Sequence, residues 1–276
     1  MSDADPADWY AHPLYYDIVF DGDTGKEADF LEAVLKHYGP TARGAKATVL
    51  EPACGSGRLV LELARRGHRV DGFDLSRPML RYARLRQRAQ PPAIRNRISF
   101  REARMQSFRP MANHYDLAHC LLSTFKYLLT GKDAAAHLRR IARALKPGGL
   151  YVLGIHLADY RNRRRDHERW VGERDGIRVT CDTRTGPPNP RTRIEHLSNR
   201  LRVRRSGIRK TETITTRWTC RTYDAGQLGD LIASIPEFEI AGSHDFTHQL
   251  AIRRPFDDSQ EDLVLVLRKR IKRELC

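Results

Sequence analysis

Two carboxylates bracket the segment of this 276-residue chain best equipped for ligand chemistry. Glu51 opens the run EPACGSGR and Asp74 closes HRVDGFD, and between them Gly55 and Gly57 precede the helical pattern LVLELARR. Short apolar residues that run into an acid, then a glycine turn, then a helix start predict a strand, a tight loop and a helix. The two glycines permit backbone angles and close approaches that a Cβ forbids, so a ligand can lie against bare main chain at the helix N-terminus. Asp74, ending the second strand, stands where an acid accepts hydrogen bonds from both hydroxyls of a ribose. Loop and acid together predict an adenosine compound. A dinucleotide would call for G-x-G-x-x-G, but the third glycine position is Val60, and Glu51 would repel a pyrophosphate; both disfavour a dehydrogenase. The same acid suits a cationic amino-acid tail, whose ammonium it can receive directly or through water.

Further along, YDLAHCLLSTFKYL (Tyr115 to Leu128) and AAAHLRRIARALKPGGLYVLGIH read as a strand, a basic amphipathic helix, a turn and another strand. Pro147 is expected to stop the helix, and Gly148 and Gly149 to turn the chain into YVLGI. With the acid, the G-x-G loop and the acid closing strand two, these segments make the chain resemble the class I S-adenosylmethionine-dependent methyltransferases, over residues 8 to 157. The resemblance implies S-adenosyl-L-methionine as cofactor. It also implies an α/β fold: a Rossmann-like seven-stranded methyltransferase sheet with helices on both faces, plus an antiparallel β insertion. Cofactor contacts are implied for Tyr15, Glu51, Ala53, Gly55, Gly57, Asp74, Leu75, Met79, Arg104, Met105, Cys120 and Leu121. One position departs from the pattern: many relatives place an acid after strand three to accept the adenine amino group, whereas FREARMQSF offers Arg104, which cannot accept a hydrogen bond. Arg104 either stacks on the purine or points into solvent, with the backbone and Met105 framing the ring, and Met79 is a further purine wall or ordinary core.

Methyl transfer from a sulfonium needs alignment of nucleophile, methyl and sulfur and a free lone pair on the nucleophile. Helpers are expected outside the carboxyl ends of strands four and five: Ser123 and Thr124 after one, His156 and Asp159 after the other. His156 is the candidate proton acceptor. Tyr16, in the N-terminal aromatic run DWYAHPLYYDIVF, is the second candidate catalytic residue, because an electron-rich ring over a sulfonium stabilises its charge and excludes water. The competing reading makes these aromatics one apolar face of a short helix. His119 reads as packing and His12 as part of a lid. Strand four is followed by CLLST, without the N-P-P-Y or Pro-Cys patterns of base methylation, which weakens a nucleic-acid base target.

The elements that must position these groups fall into four parts. Residues 1–40 form an N-terminal lid segment with a helix near ADFLEAVLKHYG that ends at Gly39 and Pro40. Residues 41–157 alternate strand and helix, as a parallel sheet with right-handed crossovers requires. Residues 158–222 alternate polar and apolar residues with turns at Asp175-Gly176, Pro187-Pro188 and Ser206-Gly207, an antiparallel insertion. Residues 223–276 supply a last helix and strands six and seven, strand seven antiparallel between five and six as in the resembled family. The insertion is similar to those of small-molecule N-methyltransferases, including amino-sugar enzymes, where it covers the substrate or builds a dimer interface.

Composition sets outer limits. The chain carries a net charge of +15, concentrated in RNRRRDHER, RLRVRRSGIRK and RKRIKR. Such clusters attract phosphates, but Arg200 to Arg204 alternate with Leu201 and Val203 as a half-buried strand with a solvated face does. The favoured reading is a small-molecule methyltransferase acting on an amine, as monomer or homodimer. An RNA methyltransferase and a non-catalytic cofactor-binding protein are the alternatives. Cys54, Cys120, Cys181, Cys220 and Cys276 lack metal-ligand spacing, so free thiols and no metal are expected. With neither a long apolar run nor a leader at MSDADPADWY, a cytoplasmic protein without membrane contact is the expectation.

Overall fold

The computed structural model describes residues 8–40, 46–161 and 165–271. The arginines of the cluster after strand five at positions 163 and 164, the last residues of RKRIKR, and Cys276 lie outside them. In chain order the elements are α1 (Pro13–Phe20), α2 (Thr24–Tyr38), β1 (Thr48–Pro52), α3 (Arg58–Arg65), β2 (Arg69–Asp74), α4 (Arg77–Arg88), α5 (Pro92–Arg95), β3 (Ile98–Glu102), β4 (Tyr115–Cys120), α6 (Gly131–Ala144), β5 (Leu145–His156), β6 (Asp166–Arg174), β7 (Ile177–Thr185), β8 (Ile194–Arg205), β9 (Ile208–Arg221), α7 (Ala225–Ala233), β10 (Phe238–His244) and β11 (Asp262–Lys269).

Seven strands form one sheet in the order β10-β11-β5-β4-β1-β2-β3. β1 pairs in parallel with β2 and β4, whereas β11 runs antiparallel between β10 and β5. The central strands are apolar on both sides, as a sheet covered on both faces demands. One face packs against α6 and α7 through Leu138, Ile141, Leu228 and Ile232; the other packs against α2, α3 and α4 through Leu31, Val34, Leu63 and Leu80. The helices α4, α6 and α7 start on side-chain caps. The Ser76 hydroxyl accepts from Met79 N–H, and Thr130 accepts from Asp133 N–H. One boundary differs from the sequence reading: α6 ends at Ala144, ahead of Pro147, and Leu145 is already extended. The KPGG segment forms the start of β5, where Gly148 takes φ 77° and the register against β4 slips.

The insertion forms a separate antiparallel sheet, β6-β7-β8-β9. Its inner face, with Val179, Cys181, Leu201, Val203 and Ile214, packs on Trp9, Tyr15 and Ile18 of the N-terminal segment. Arg200, Arg202 and Arg204 face solvent, as the alternation predicts. Asp182 on the same face draws Arg169 (2.5 Å) and Arg202 (3.0 Å). A buried ion pair, Lys126 to Glu195 at 2.6 Å, ties the segment after β4 to β8. Among the described residues no helix is long and apolar enough to cross a membrane.

Candidate active site

Strand order reverses at β1 and β4, and the crevice outside their carboxyl ends is where open α/β sheets bind ligands. Here it is a solvent-connected cleft. Residues 51–56 form one wall, Cys120, Leu121, Leu122 and Thr124 the other, and Tyr16 of α1 lies across them. Three non-glycine residues in or beside the walls hold left-handed backbone: Ala53 (φ 53°), Leu122 (φ 55°) and Ser123 (φ 59°). Strain of this kind gathers at ligand sites, where the surrounding structure enforces it.

The glycine loop is bare where it must be. Gly55 takes φ 53°, and the nearest atom to a Cβ placed there would be a Tyr16 ring carbon at 3.9 Å. Asp74 braces the loop: Oδ2 accepts from Gly55 N–H at 2.8 Å and Oδ1 from Ser76 N–H at 2.7 Å. Each oxygen keeps a lone pair for a further donor, as a ribose diol requires. Burial raises the Asp74 carboxyl, opposed by the Ser76, Gly55 and Leu75 amides.

Glu51 is the least satisfied group in the cleft. Its Oε2 is buried without a hydrogen-bond partner. His119 Nε2 stands 3.9 Å away, beyond hydrogen-bond distance, and is likewise unpartnered. Burial pushes Glu51 up to about 8, with Arg58 opposing and Glu27 and Asp74 reinforcing the rise. Burial, then Arg58, pushes His119 down to about 3. Both are therefore neutral near pH 7, and no ion pair joins them. Arg58 does not neutralise Glu51, because its guanidinium is spent on Glu27 and on Thr24 Oγ1 (3.1 Å). An orphaned carboxyl beside a bare loop, with a second carboxylate set to grip a diol, fits S-adenosylmethionine: an ammonium at one end, a ribose at the other. Tyr16 is pushed up to about 12 by burial, so its phenol stays protonated. It contributes a ring and a hydroxyl, not a base.

The cleft thus brings together Tyr16, Glu51, Ala53, Gly55, Cys120 and Leu121, with Asp74 bonded to its loop and Leu75 half exposed beside Asp74. The structure places other expected residues elsewhere. Tyr15 turns away from the cleft: its hydroxyl meets Glu212 (2.9 Å) and Arg205 on the inserted sheet. Gly57 caps α3 at φ 72°, and a Cβ there would strike Phe100 and Ala83, so its lack of a side chain serves packing. Met79 is fully buried, and Met105 sits in the core with its carbonyl accepting from His137 Nδ1 at 3.1 Å. Arg104 lines a separate groove with Arg101, Ser107 and Arg109. Apolar or cationic side chains carry no sequence signal for which side of the strand end they occupy.

At the end of β5, His156 N–H donates to Ser123 Oγ at 2.7 Å, and Ser123 adjoins Leu122 and Thr124 of the cleft wall. Its imidazole Nδ1 pairs with Asp262 on β11, and Phe246 packs on the ring with centroids 4.9 Å apart. The expected neighbour Asp159 instead engages Arg161. Asp262 carries no local motif, which is why the sequence reading missed it.

Residues 49–149 match the family model described as a methyltransferase domain. The chain is 29% identical over 141 residues to the dTDP-3-amino-3,6-dideoxy-alpha-D-glucopyranose N,N-dimethyltransferase of Streptomyces fradiae, covering 50% of each chain. It superposes on DesVI of Streptomyces venezuelae with a TM-score of 0.71 at 16% identity, over 98% of this chain and 100% of that one. It superposes on S-adenosylmethionine-bound CalS10, an amino pentose methyltransferase of Micromonospora echinaspora, with a TM-score of 0.67 at 18% identity, over 94% and 96%. The chain spans about half the length of the curated relatives it matches. The family match bears out the resemblance carried by EPACGSGR, Asp74 and KPGG, and the structural likeness is to the Rossmann-like methyltransferase fold.

Proposed function

We propose that this chain is an S-adenosylmethionine-dependent methyltransferase that methylates a small-molecule acceptor, an amine, by in-line displacement. The observation that carries the reading is the buried, unpartnered Glu51 oxygen at one end of a glycine loop whose other end is braced by Asp74. The amine preference rests on the β insertion and on the amino-sugar activity named for the Streptomyces fradiae relative.

A bound sulfonium supplies the activated methyl group, so alignment is most of what the protein adds. Asp74 would hold the ribose hydroxyls and Glu51 the ammonium of the cofactor. Tyr16 covers the loop and keeps water from the reacting centre. The inserted sheet covers the acceptor side. An amine offers its lone pair only when neutral; His156 takes the proton that the acceptor ammonium sheds, with Asp262 holding Nδ1–H so that Nε2 is the accepting nitrogen.

The test is transfer of an isotope-labelled methyl group to a panel of amines that includes nucleotide-linked amino sugars, with hydroxyl acceptors and RNA as parallel arms. Transfer to an amine is expected. Labelling confined to RNA, or cofactor binding with no acceptor labelled, overturns the reading in favour of an RNA enzyme or a non-catalytic protein respectively.

A further inference from the structure

Asp17 follows Tyr16 on α1, and its side chain is wholly buried although it is a carboxylate. Oδ1 accepts from Ser56 Oγ at 2.8 Å and from Arg86 Nη1 at 2.5 Å. Oδ2 accepts from Arg174 Nη2 at 2.9 Å and from the Tyr82 hydroxyl at 3.2 Å. The donors come from three separate places: Ser56 from the glycine loop, Tyr82 and Arg86 from α4, and Arg174 from β6 of the insertion. Asp21, one turn later, repeats the charge pattern at 3.6 Å from Arg174 and 3.9 Å from Arg86. A buried carboxylate is costly unless its oxygens are fully occupied, and here they are.

A second observation points the same way. Two residues before Arg174, Gly172 lies flush on α1, and a Cβ at that position would collide with the Ile18 carbonyl. β6 is therefore shaped to seat on the helix that carries Tyr16, and Arg174 then reaches Asp17. α1 is gripped on one side by the loop that cradles the cofactor and on the other by the sheet that covers the acceptor side. Ser56 adjoins Gly55, and Tyr16 adjoins Asp17. Lifting α1 to free a nucleoside from beneath Tyr16 would break the bonds to Ser56 and Arg86 or drag β6 away with it.

We propose that Asp17 is a positioning residue: it latches α1 so that retention of the cofactor at the glycine loop and seating of the inserted sheet are coupled. The proposal rests on the methyltransferase reading. It places part of the control over cofactor residence in Arg174, a side chain that does not line the cleft.

The test is the dissociation rate of S-adenosylhomocysteine, followed by stopped-flow fluorescence, in the full chain and in Arg174→Met. The expected result is dissociation about tenfold faster, within the range of coupling between linked sites, read at a temperature where both proteins are folded, since Arg174→Met also lowers the unfolding midpoint by leaving Asp17 with Arg86 as its one close cation. Asp17→Asn is expected to act in the same direction. The double variant should release no faster than Asp17→Asn alone, because one latch can be opened only once. Ser56→Ala, which removes a single hydroxyl, gives the same comparison if a charge change unfolds the chain. A folded Arg174→Met protein that releases the ligand at the parent rate overturns the latch and leaves the methyltransferase reading intact. A parent chain that binds no S-adenosyl compound overturns both.

Discussion

The protonation of Glu51 makes a quantitative claim about cofactor binding. In the ligand-free protein the carboxyl sits at about 8, and an α-amino group titrates near the same pH. The complex holds one proton between these two groups, wherever along the contact it resides. The separated partners hold about two at pH 6, about one at pH 8 and close to none at pH 10. Binding therefore releases about one proton at pH 6, none near pH 8, and takes one up above it. Affinity should peak near pH 8 and weaken by about 25-fold at pH 6, roughly 1.9 kcal/mol, because Glu51 must first be deprotonated. Titration calorimetry with S-adenosylhomocysteine between pH 6 and 9, in buffers of different ionisation enthalpy, reads both affinity and proton count. Glu51→Gln should bind more weakly at pH 8 and lose the acid limb. Were Glu51 an ordinary carboxyl, the dissociation constant would improve about twofold from pH 8 to pH 6 as the ligand amine fills with protons. A flat or improving affinity toward acid, with no proton released, would refute the placement of the ammonium at Glu51.

Three further outcomes follow from the same geometry. Asp74→Ala removes the acceptor for the ribose diol together with the brace on Gly55 N–H; it should weaken S-adenosylhomocysteine binding by about 1–3 kcal/mol in calorimetry, and unchanged affinity would remove Asp74 from the site. His156→Ala should lower turnover of an amine acceptor by about 10² or more while leaving cofactor affinity untouched, and the deficit should shrink as pH is raised toward the amine's own pKa. Asp262→Asn should show a smaller loss of the same kind, and a uniform deficit at every pH would make His156 structural.

What the sequence made legible was local. Gly55 and Gly57 lie 4 and 6 positions after Glu51, and Asp74 lies 23 after it, all in a single strand-loop-helix-strand unit, so their chemistry is written in one short stretch. The Asp-Gly and Ser-Gly turns read correctly because Gly176 and Gly207 take φ 73° and 76°, positions that glycine fills without strain. The strict alternation through Arg200 to Arg204 fixed which face of β8 is wet. The contacts that complete the site are long-range: Asp17 to Arg174 spans 157 positions and His156 to Asp262 spans 106, and no local pattern records either.

The phase of α1 shows why the sequence did not tell Tyr15 from Tyr16. Adjacent residues on a helix point about 100° apart, so Tyr15 and Tyr16 cannot both face the same cleft. An amphipathic helix declares its phase by pairing one apolar stripe with one polar stripe. α1 has no such contrast, because it is sandwiched: Tyr16 meets the cofactor loop, Tyr15 meets Glu212 and Arg205 of the insertion, and even the intervening polar residue, Asp17, is buried. A helix with partners on several sides must be apolar or internally paired all round, which erases the periodic signal that would have told one tyrosine from the other. The same sandwiching ties one short helix to both the glycine loop and the inserted sheet, so the residue pattern that hid the phase is the physical basis of the coupling proposed for Asp17.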